Sequence, residues 1–282
     1  MDYDTFIAAK KARVPRQGIA VPEAAIHPFL HDWQAELTSW ALGVGRAAIW
    51  ADTGLGKTVM QVEWLRHAAA DGIGLIVAPL AVCQQTVREA SRRLGVSLTY
   101  TREQPISPGL YITNYEMVQQ IDPATIAAVA LDEASILKSS DGKTRTMLIE
   151  WFEGVPFRLS CTATPAPNDP EELTNQAEFL GHMSRTHMLA AYFVHDDQGW
   201  RLKGHARRPM YEWMATWAVA IRKPSDMGYP DDGYDLPGLN IIPQVVHVEM
   251  EAEGQLFATD LGGVGGRARI RRETLAARVE RA

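Results

Sequence analysis

Short apolar runs alternate along the chain with longer stretches in which apolar and polar residues follow a helical spacing. Each apolar run is nearly continuous and rich in residues that favour β-structure, as is typical of strands buried on both faces. These runs span residues 47–51, 73–78, 110–113, 127–131 and 157–161, and the helical stretches span 57–70, 81–94, 115–120 and 143–152. Strands that alternate with helices predict an α/β domain with a mostly parallel sheet flanked by helices.

The pattern changes beyond Asn168. Residues 181–238 contain dispersed tryptophans, and the four-residue spacing of Trp213 and Trp217 indicates a packed helix face, so we expect a helical insertion there. A β-like run within 239–260 predicts a final strand that returns to the domain. Residues 261–282 combine a glycine-rich segment with an arginine-rich tail, which predicts a linker, and 1–28 are interpreted as an N-terminal extension.

The composition is that of a globular protein, because 46% of the 282 residues are hydrophobic, 22% are charged and no tract is biased. No apolar stretch could span a bilayer and no signal peptide is recognisable, so we expect a soluble, cytoplasmic protein without a membrane partner. Cys83 and Cys161 fit neither a metal-binding spacing nor a disulfide framework. The formal charge of −6 means that any contact with nucleic acid must come from a local patch.

A glycine-rich turn follows the first predicted strand, in the sequence AIWADTGLGKT. The order of strand, turn and helix is the context that a phosphate-binding P-loop requires. Gly54 and Gly56 let successive amide hydrogens point into one cavity at a helix N-terminus, which attracts phosphate groups. Lys57 adds a positive charge for the β and γ phosphates, and the hydroxyl of Thr58 is a ligand for Mg²⁺. The sequence therefore predicts ATP and Mg²⁺ as cofactors.

Two adjacent carboxylates end another predicted strand, in the run AAVALDEAS. In a parallel sheet this position lies at the same edge as the P-loop. Asp132 is predicted to bind Mg²⁺, and Glu133 is predicted to orient and deprotonate the attacking water. Lys57, Asp132 and Glu133 are thus the candidate catalytic residues of an ATP hydrolase.

These motifs resemble those of the superfamily-two helicases of the DEAD/DEAH type, and in detail those of the Swi/Snf-like DNA translocases. The resemblance covers 29–180 and implies an N-terminal RecA-like lobe. LHDWQAEL is similar to the adenine-recognition segment, which implies that Gln34 contacts the base. ADTGLGKT is similar to motif I, and the resemblance implies cofactor contacts along the whole loop and the start of its helix. Those residues are Thr53, Gly54, Leu55, Gly56, Lys57, Thr58 and Val59.

Further motifs of the same family have counterparts in the chain. LIVAPLAVCQQTVREA resembles motif Ia, YITNYEMV resembles motif Ib, and LDEASILK resembles motif II with its following lysine. The resemblance implies that the backbone of double-stranded DNA is contacted by Pro79, Asn114, Tyr115 and Lys138. SCTATPAPNDPEELTNQAEFL is similar to motif III and the segment after it, which implies that Thr162 and Thr164 couple the γ-phosphate to DNA contacts.

The leading hypothesis is therefore the ATP-binding lobe of a DNA helicase or translocase. Motors of this family need a second RecA-like lobe, and the residues after Met250 are too few to form one. We therefore expect an isolated first lobe, with weak or no turnover alone, whose partner lobe lies in cis or in trans. Two alternatives stay open. One is the motor subunit of a restriction-type system, and the other is a non-catalytic binding module held together by nucleotide.

Overall fold

The structure is a computed structural model, and it describes residues 14–138, 142–196, 199–234, 242–243, 271–272 and 274–281. The chain divides into two units, Met1–Asp235 and Leu236–Ala282. The first unit contains the sheet and the candidate site. In the second unit the described residues include one helix near the end of the chain. Both predicted features within 239–266, the returning strand and the glycine-rich segment, lie almost entirely outside the described residues.

A seven-stranded parallel sheet organises the first unit, in the strand order β3-β4-β2-β5-β6-β1-β9. A separate antiparallel hairpin joins β7 to β8. The strands are β1 (Arg46–Ala51), β2 (Ile73–Ala78), β3 (Leu98–Tyr100), β4 (Gly109–Asn114), β5 (Ile126–Asp132), β6 (Phe157–Cys161), β7 (Phe193–Asp196), β8 (Gly199–Leu202) and β9 (Ala218–Ile221). The strand assignment confirms the predicted α/β class with a mostly parallel sheet.

Helices connect and flank the strands of the sheet. They are α1 (Asp32–Val44), α2 (Lys57–Ala69), α3 (Leu80–Leu94), α4 (Lys143–Trp151), α5 (Leu173–Phe179), α6 (Arg185–Tyr192) and α7 (Arg207–Met214). The second unit by itself contains α8 (Leu275–Arg281). Short 3₁₀ turns follow β4 at Tyr115–Gln120 and β5 at Ala134–Lys138. Within the described part of the chain, no helix has both the length and the apolar character needed to cross a membrane.

The central strands are buried along almost their whole length, which explains their continuous apolar sequences. Every residue of β2 is buried, and so are five of the six residues of β1. Because both faces of these strands are covered, their side chains all enter the core and no polar face is needed. Helix α2 packs against β2, β5 and β6, so the segment after the glycine turn is fixed to the centre of the sheet.

The strand register brings three chain segments to one edge of the sheet. Cys161 of β6 pairs with Ile49 of β1 on one side and with Asp132 of β5 on the other. Parallel strands in register present their carboxyl ends at the same edge, which is where open α/β sheets bind ligands. The glycine turn after β1 and the carboxylates after β5 are therefore separated by a single strand.

The segment 181–238 contains more strand structure than the predicted helical insertion. It includes the expected helices α6 and α7, and Trp213 and Trp217 are both buried. The predicted shared helix face is wrong, because α7 ends at Met214 and Trp217 lies in the turn before β9. It also contains the hairpin β7-β8 and the edge strand β9, which pairs with β1. Four residues of β9 are too few to give a periodic signal, so only the pairing with β1 shows that this segment belongs to the sheet.

Candidate nucleotide-binding site

The loop between β1 and α2 requires its glycines. Gly54 has φ +88° and Gly56 has φ +75°, both in the left-handed region that residues with a Cβ rarely adopt. A Cβ on Gly56 would lie 2.5 Å from the amide nitrogen of Gln34. The space beside Gly54 is open, since no atom lies within 4 Å of the position that its Cβ would take. The loop thus combines a fixed backbone turn with an open face at the N-terminus of a 13-residue helix, a geometry that favours anions.

Gln34 joins the start of α1 to this loop. Its side chain is 4% exposed, its oxygen accepts a hydrogen bond from His31 N at 3.0 Å, and its nitrogen donates to Leu55 O at 3.0 Å. The sequence predicted that Gln34 and Leu55 belong to one site, and the structure brings them into contact. Any role of Gln34 toward a base stays a prediction, but its amide already fixes the loop.

Lys57 and Thr58 lie on the first turn of α2. The Lys57 ammonium donates to the carbonyl oxygens of Ala51 at 2.8 Å and of Asp52 at 3.2 Å. It therefore folds back over the loop. Thr58 is partly exposed next to it, whereas the following Val59 is buried at 2% and packs in the core. Thr53 is exposed at the front of the loop.

Asp132 ends β5 in a partly buried position. Burial raises the pKa of its carboxyl group and the neighbouring Glu133 raises it further, while Gln61 and Lys57 act in the opposite direction. The strand register places the loop and this strand end on either side of β6. Gln61 lies close to the Asp132 carboxyl without forming a hydrogen bond of standard geometry, and its amide has no hydrogen-bond partner among the described residues. The backbone oxygen of Asp132 accepts a hydrogen bond from the Tyr115 hydroxyl at 2.6 Å.

Glu133 has an unusual backbone conformation and a specific side-chain partner. Its φ of +55° is one of two left-handed values found for non-glycine residues in the described chain. Such a conformation costs on the order of 1–2 kcal/mol and persists only where the surroundings fix it. The exposed Glu133 carboxylate accepts a hydrogen bond from Thr162 Oγ1 at 3.1 Å, and that oxygen also accepts from Thr164 N at 3.1 Å. Of the two predicted coupling residues, Thr162 thus contacts the predicted general base directly, and Thr164 contacts it through Thr162.

The donor groups at this edge suit Mg²⁺ better than a transition metal. The available ligands are a hydroxyl oxygen, from Thr58, and a carboxylate, from Asp132, both of the oxygen type that Mg²⁺ prefers. Among the described residues no cluster of three or more His, Cys, Asp or Glu side chains could hold a metal ion. A few protein oxygens combined with substrate phosphates are how Mg²⁺ is commonly held, so the residues present fit that ion.

The four predicted nucleic-acid contacts are in two different situations. Pro79 is partly exposed and Lys138 is exposed. Asn114 is only 4% exposed, and its side chain accepts from the Tyr100 hydroxyl at 2.9 Å and donates to Glu116. Tyr115 is 7% exposed, and burial followed by the nearby Asp132 charge holds its pKa well above the ordinary range.

The side chains of Asn114 and Tyr115 are therefore committed to the protein interior. Tyr115 donates to the backbone of Asp132, and Asn114 at the end of β4 bonds to the side chains of Tyr100 and Glu116. A side chain that is hydrogen-bonded and buried offers little surface to a polymer. DNA contacts by Pro79, Asn114, Tyr115 and Lys138 remain predictions.

Several buried polar residues next to the site were missed by sequence reasoning. They are Gln61, Ser160, Asn175 and Gln176, all at most 1% exposed. The available signal was weak, since each is a polar residue at a position where the strand or helix pattern calls for an apolar one. Polar side chains are usually buried only when they form hydrogen bonds inside the protein or have a functional role.

Structural comparison places this arrangement among known folds. The chain is similar to the Sulfolobus solfataricus SWI2/SNF2 ATPase core in complex with dsDNA, with a TM-score of 0.59, 16% sequence identity, and coverage of 77% of this chain and 48% of that chain. The chain therefore spans about half of that structure's length. This likeness confirms the predicted fold, an α/β lobe of the RecA-like type.

Two other solved structures show weaker likeness. The UvsW helicase from bacteriophage T4 gives a TM-score of 0.44 at 14% identity, with coverage of 55% of this chain and 58% of that chain. The Pyrococcus furiosus Hef helicase domain gives 0.44 at 15% identity, with coverage of 53% and 35%. No protein-family model and no curated protein sequence matches the chain.

Proposed function

We propose that this chain is the ATP-binding lobe of a nucleic-acid-dependent ATPase that couples Mg-ATP hydrolysis to movement on double-stranded DNA. One observation carries the proposal. The glycine loop and the Asp132-Glu133 pair lie on either side of β6 at one sheet edge, and Thr162, directly after β6, is hydrogen-bonded to Glu133. A triphosphate bound at the loop would thus face the carboxylates at the distance of one intervening strand.

The loop supplies the groups that bind phosphate. Its turn at Gly54 and Gly56 presents backbone amides at the N-terminus of α2, and Lys57 brings a positive charge that now rests on two carbonyl oxygens. Carbonyl oxygens are weaker partners for an ammonium group than phosphate oxygens are, because a pair of opposite charges is stronger than a charge and a dipole. The Lys57 ammonium is therefore held beside the loop by bonds that it can exchange for bonds to the phosphate oxygens of the substrate.

The carboxylates supply the groups for the chemical step. Thr58 and Asp132 would hold Mg²⁺, which when bound neutralises charge that develops on the phosphate oxygens. Glu133 would orient a water molecule and accept its proton as the water oxygen bonds to the γ-phosphorus. The bond from that phosphorus to the bridging oxygen breaks in the same step, and ADP leaves. Thr162 fixes the direction of the Glu133 carboxylate, so a movement of the turn after β6 changes the geometry of the base.

The proposal for DNA rests on the exposed ends of the same strands. Pro79 follows β2 and Lys138 ends the turn after β5, so both lie on segments that leave the site-bearing edge of the sheet. The similar SWI2/SNF2 core was solved in complex with dsDNA. Contacts through loop residues and lysine predict sequence-independent binding that weakens as salt rises.

A second RecA-like lobe, in cis or in trans, forms part of the proposal. In ATPases of this kind an arginine from outside the P-loop domain stabilises the transition state, and it contributes roughly 10³ to 10⁵ in rate. The chain as given should therefore bind ATP and turn it over slowly. DNA stimulation is expected when that second lobe is present.

The test compares ATP binding and turnover with and without double-stranded DNA, on this chain and on the chain together with a second lobe. Lys57→Ala should weaken ATP binding by about 10- to 100-fold, the value of a charge-assisted hydrogen bond. Lys203→Ala is a matched control, because Lys203 also donates to two backbone carbonyls, of Ala190 and Ala191, far from the loop in sequence. Equal ATP affinity of both variants, or no DNA stimulation of the two-lobe protein, would contradict the proposal.

A further inference from the structure

Helix α5 carries two adjacent amide side chains that point into the protein. Asn175 and Gln176 are each 1% exposed. The Gln176 nitrogen donates to Ala134 O at 3.0 Å, and its oxygen accepts from the Ser160 hydroxyl. The Asn175 nitrogen donates to Leu137 O at 2.7 Å. A buried amide is costly unless its hydrogen bonds are made, and both groups of Gln176 are satisfied by partners outside its own helix.

The two partners of Gln176 belong to the two segments that hold Glu133. Ala134 directly follows Glu133 in the chain, and Ser160 lies on β6 two residues before Thr162. Thr162 in turn donates to the Glu133 carboxylate. These contacts therefore form a closed network. Glu133 is joined to β6 through Thr162, and Ser160 of β6 is joined through Gln176 to the residue after Glu133.

The backbone conformation of Glu133 persists only if surrounding contacts such as this network hold it. Its φ of +55° is unfavourable for a side chain with a Cβ. In the described residues, four contacts act on this position. Ile136 N donates to Glu133 O at 3.1 Å, and Thr162 donates to the carboxylate. Gln176 donates to the next carbonyl, and Tyr115 donates to the preceding one. Asn175 joins α5 to the far end of the turn, whereas Gln176 joins the residue directly after Glu133 to both α5 and β6. Gln176 therefore sets where the start of the turn lies relative to β6.

We propose that Gln176 is a positioning residue for Glu133. By binding the carbonyl of the next residue, Gln176 keeps Glu133 in its left-handed conformation and at a fixed distance from β6. The inference rests on the proposed function for the role of Glu133, but the positioning itself is a property of the protein without nucleotide. Gln176 touches neither the glycine loop nor Lys57 through any hydrogen bond in the described chain. Its loss should therefore affect the chemical step and spare ATP binding.

The experiment uses Gln176→Met, which keeps the volume and removes both hydrogen bonds, and a matched control on the same helix. Thr174→Val is that control, since Thr174 is fully buried and its hydroxyl donates to Glu171 O at 2.6 Å, in the 3₁₀ turn that precedes α5. Both variants lose a buried hydrogen bond, but only Gln176→Met releases the turn after Glu133. Thermal unfolding of both shows that each is folded.

The first readout is amide hydrogen exchange in residues 133–138 of the nucleotide-free protein. Exchange should be faster in Gln176→Met than in the parent, and unchanged in Thr174→Val. Unchanged exchange in Gln176→Met would overturn the proposal whatever the activity of the protein. Failure of the parent to bind ATP would refute the proposed function instead, and leave the exchange comparison intact.

The second readout is single-turnover hydrolysis of Mg-ATP. Gln176→Met should lower the rate of the chemical step by about 10- to 100-fold with ATP affinity within about twofold of the parent, as expected for a misplaced base. In a Glu133→Gln background the same change should have no further effect, because Gln176 acts through Glu133. A similar loss in both backgrounds would show that Gln176 acts elsewhere, and would overturn the assignment.

Discussion

Charged residues have opposite roles at the two ends of the parallel strands. The side of the sheet where the strands begin is called the amino edge here, and the side where they end is called the carboxyl edge. At the amino edge, Arg46 begins β1 and pairs in register with Arg158 of β6. Arg158 is 2% exposed, and its guanidinium donates to the backbone oxygens of Val155, Phe179 and Glu153. Burial, followed by the nearby Arg46 charge, lowers the pKa of Arg158 to about 10.

At the carboxyl edge, charged groups are left accessible. Asp132 and Lys57 are partly exposed and Glu133 is exposed, and the Lys57 ammonium rests on carbonyl oxygens that a phosphate can replace. A cavity of about 660 Å³ also lies beside the amino edge, lined by Arg46, Arg145, His182 and others. Its arginines are accompanied by the carboxylates of Glu150, Glu153 and Glu178, so the local charge is balanced. Charge at the amino edge stabilises the fold, and charge at the carboxyl edge is available for chemistry.

The largest contrast is expected from removing one carboxylate at each edge. Glu133→Gln should lower ATP turnover by about 10² to 10⁴, the usual contribution of a positioned base, while ATP binding is retained. Glu153→Gln makes the same change on an exposed carboxylate at the amino edge, and turnover should be unaltered. Single-turnover kinetics on both variants measures the difference. Comparable turnover in the two variants would remove the functional distinction between the edges.

A reciprocal contrast is expected for stability. Arg158→Met leaves three backbone carbonyls without their donor, and at about 1 kcal/mol for each hydrogen bond the free energy of unfolding should fall by about 3 kcal/mol. ATP affinity of the folded variant should be that of the parent. Urea unfolding measures the first quantity and nucleotide titration the second. Arg208→Met, at a surface ion pair with Glu212, serves as the control and should leave the unfolding midpoint unchanged. A loss of ATP affinity in Arg158→Met without a loss of stability would contradict the structural role assigned to charge at the amino edge.

The smallest effect concerns pH at the amino edge. Burial lowers the pKa of His182 to about 4, and its ring nitrogen bonds to Arg46 O at 2.8 Å. An unfolded histidine binds a proton near pH 6.5, so between about pH 6.5 and 4 the unfolded state binds more protons and stability falls as pH falls. From pH 7 to pH 5 the loss due to His182 should be about 2 kcal/mol.

His182→Asn isolates this contribution, because asparagine does not titrate. The difference in unfolding free energy between pH 7 and pH 5 should be smaller in His182→Asn than in the parent. Urea unfolding at the two pH values provides the measurement. An identical pH dependence of the two proteins would show that the buried ring does not control the acid sensitivity of this edge.

The sequence predicted the centre of the sheet and the glycine loop, because both follow from strong local signals. Continuous apolar runs such as 73–78 leave little choice but a strand buried on both faces, and the structure gives β2 the same bounds. The turn at Gly54 and Gly56 is equally local, since a positive φ requires glycine whatever surrounds it. The pairing of the loop with Asp132 followed from the general rule for parallel sheets.

What the sequence could not show depends on contacts between distant segments. β3 and β9 have three and four residues, and only their neighbours in the sheet identify them as strands. The Gln176 contacts join residues 16 and 42 positions away, a separation at which no periodic pattern carries information. The buried state of Asn114 and Tyr115 is of the same kind, because motif position says nothing about which side chains face inward.

At Glu133, the residue that would be best for stability differs from the residue that the proposed chemistry requires. A glycine there would relieve the conformational strain and would be favoured by any selection for thermal resistance alone. The same replacement removes the only carboxylate that Thr162 contacts among the described residues. A lineage that no longer needed the chemistry would therefore be expected to drift toward small residues at this site first, while the rest of the lobe kept its shape.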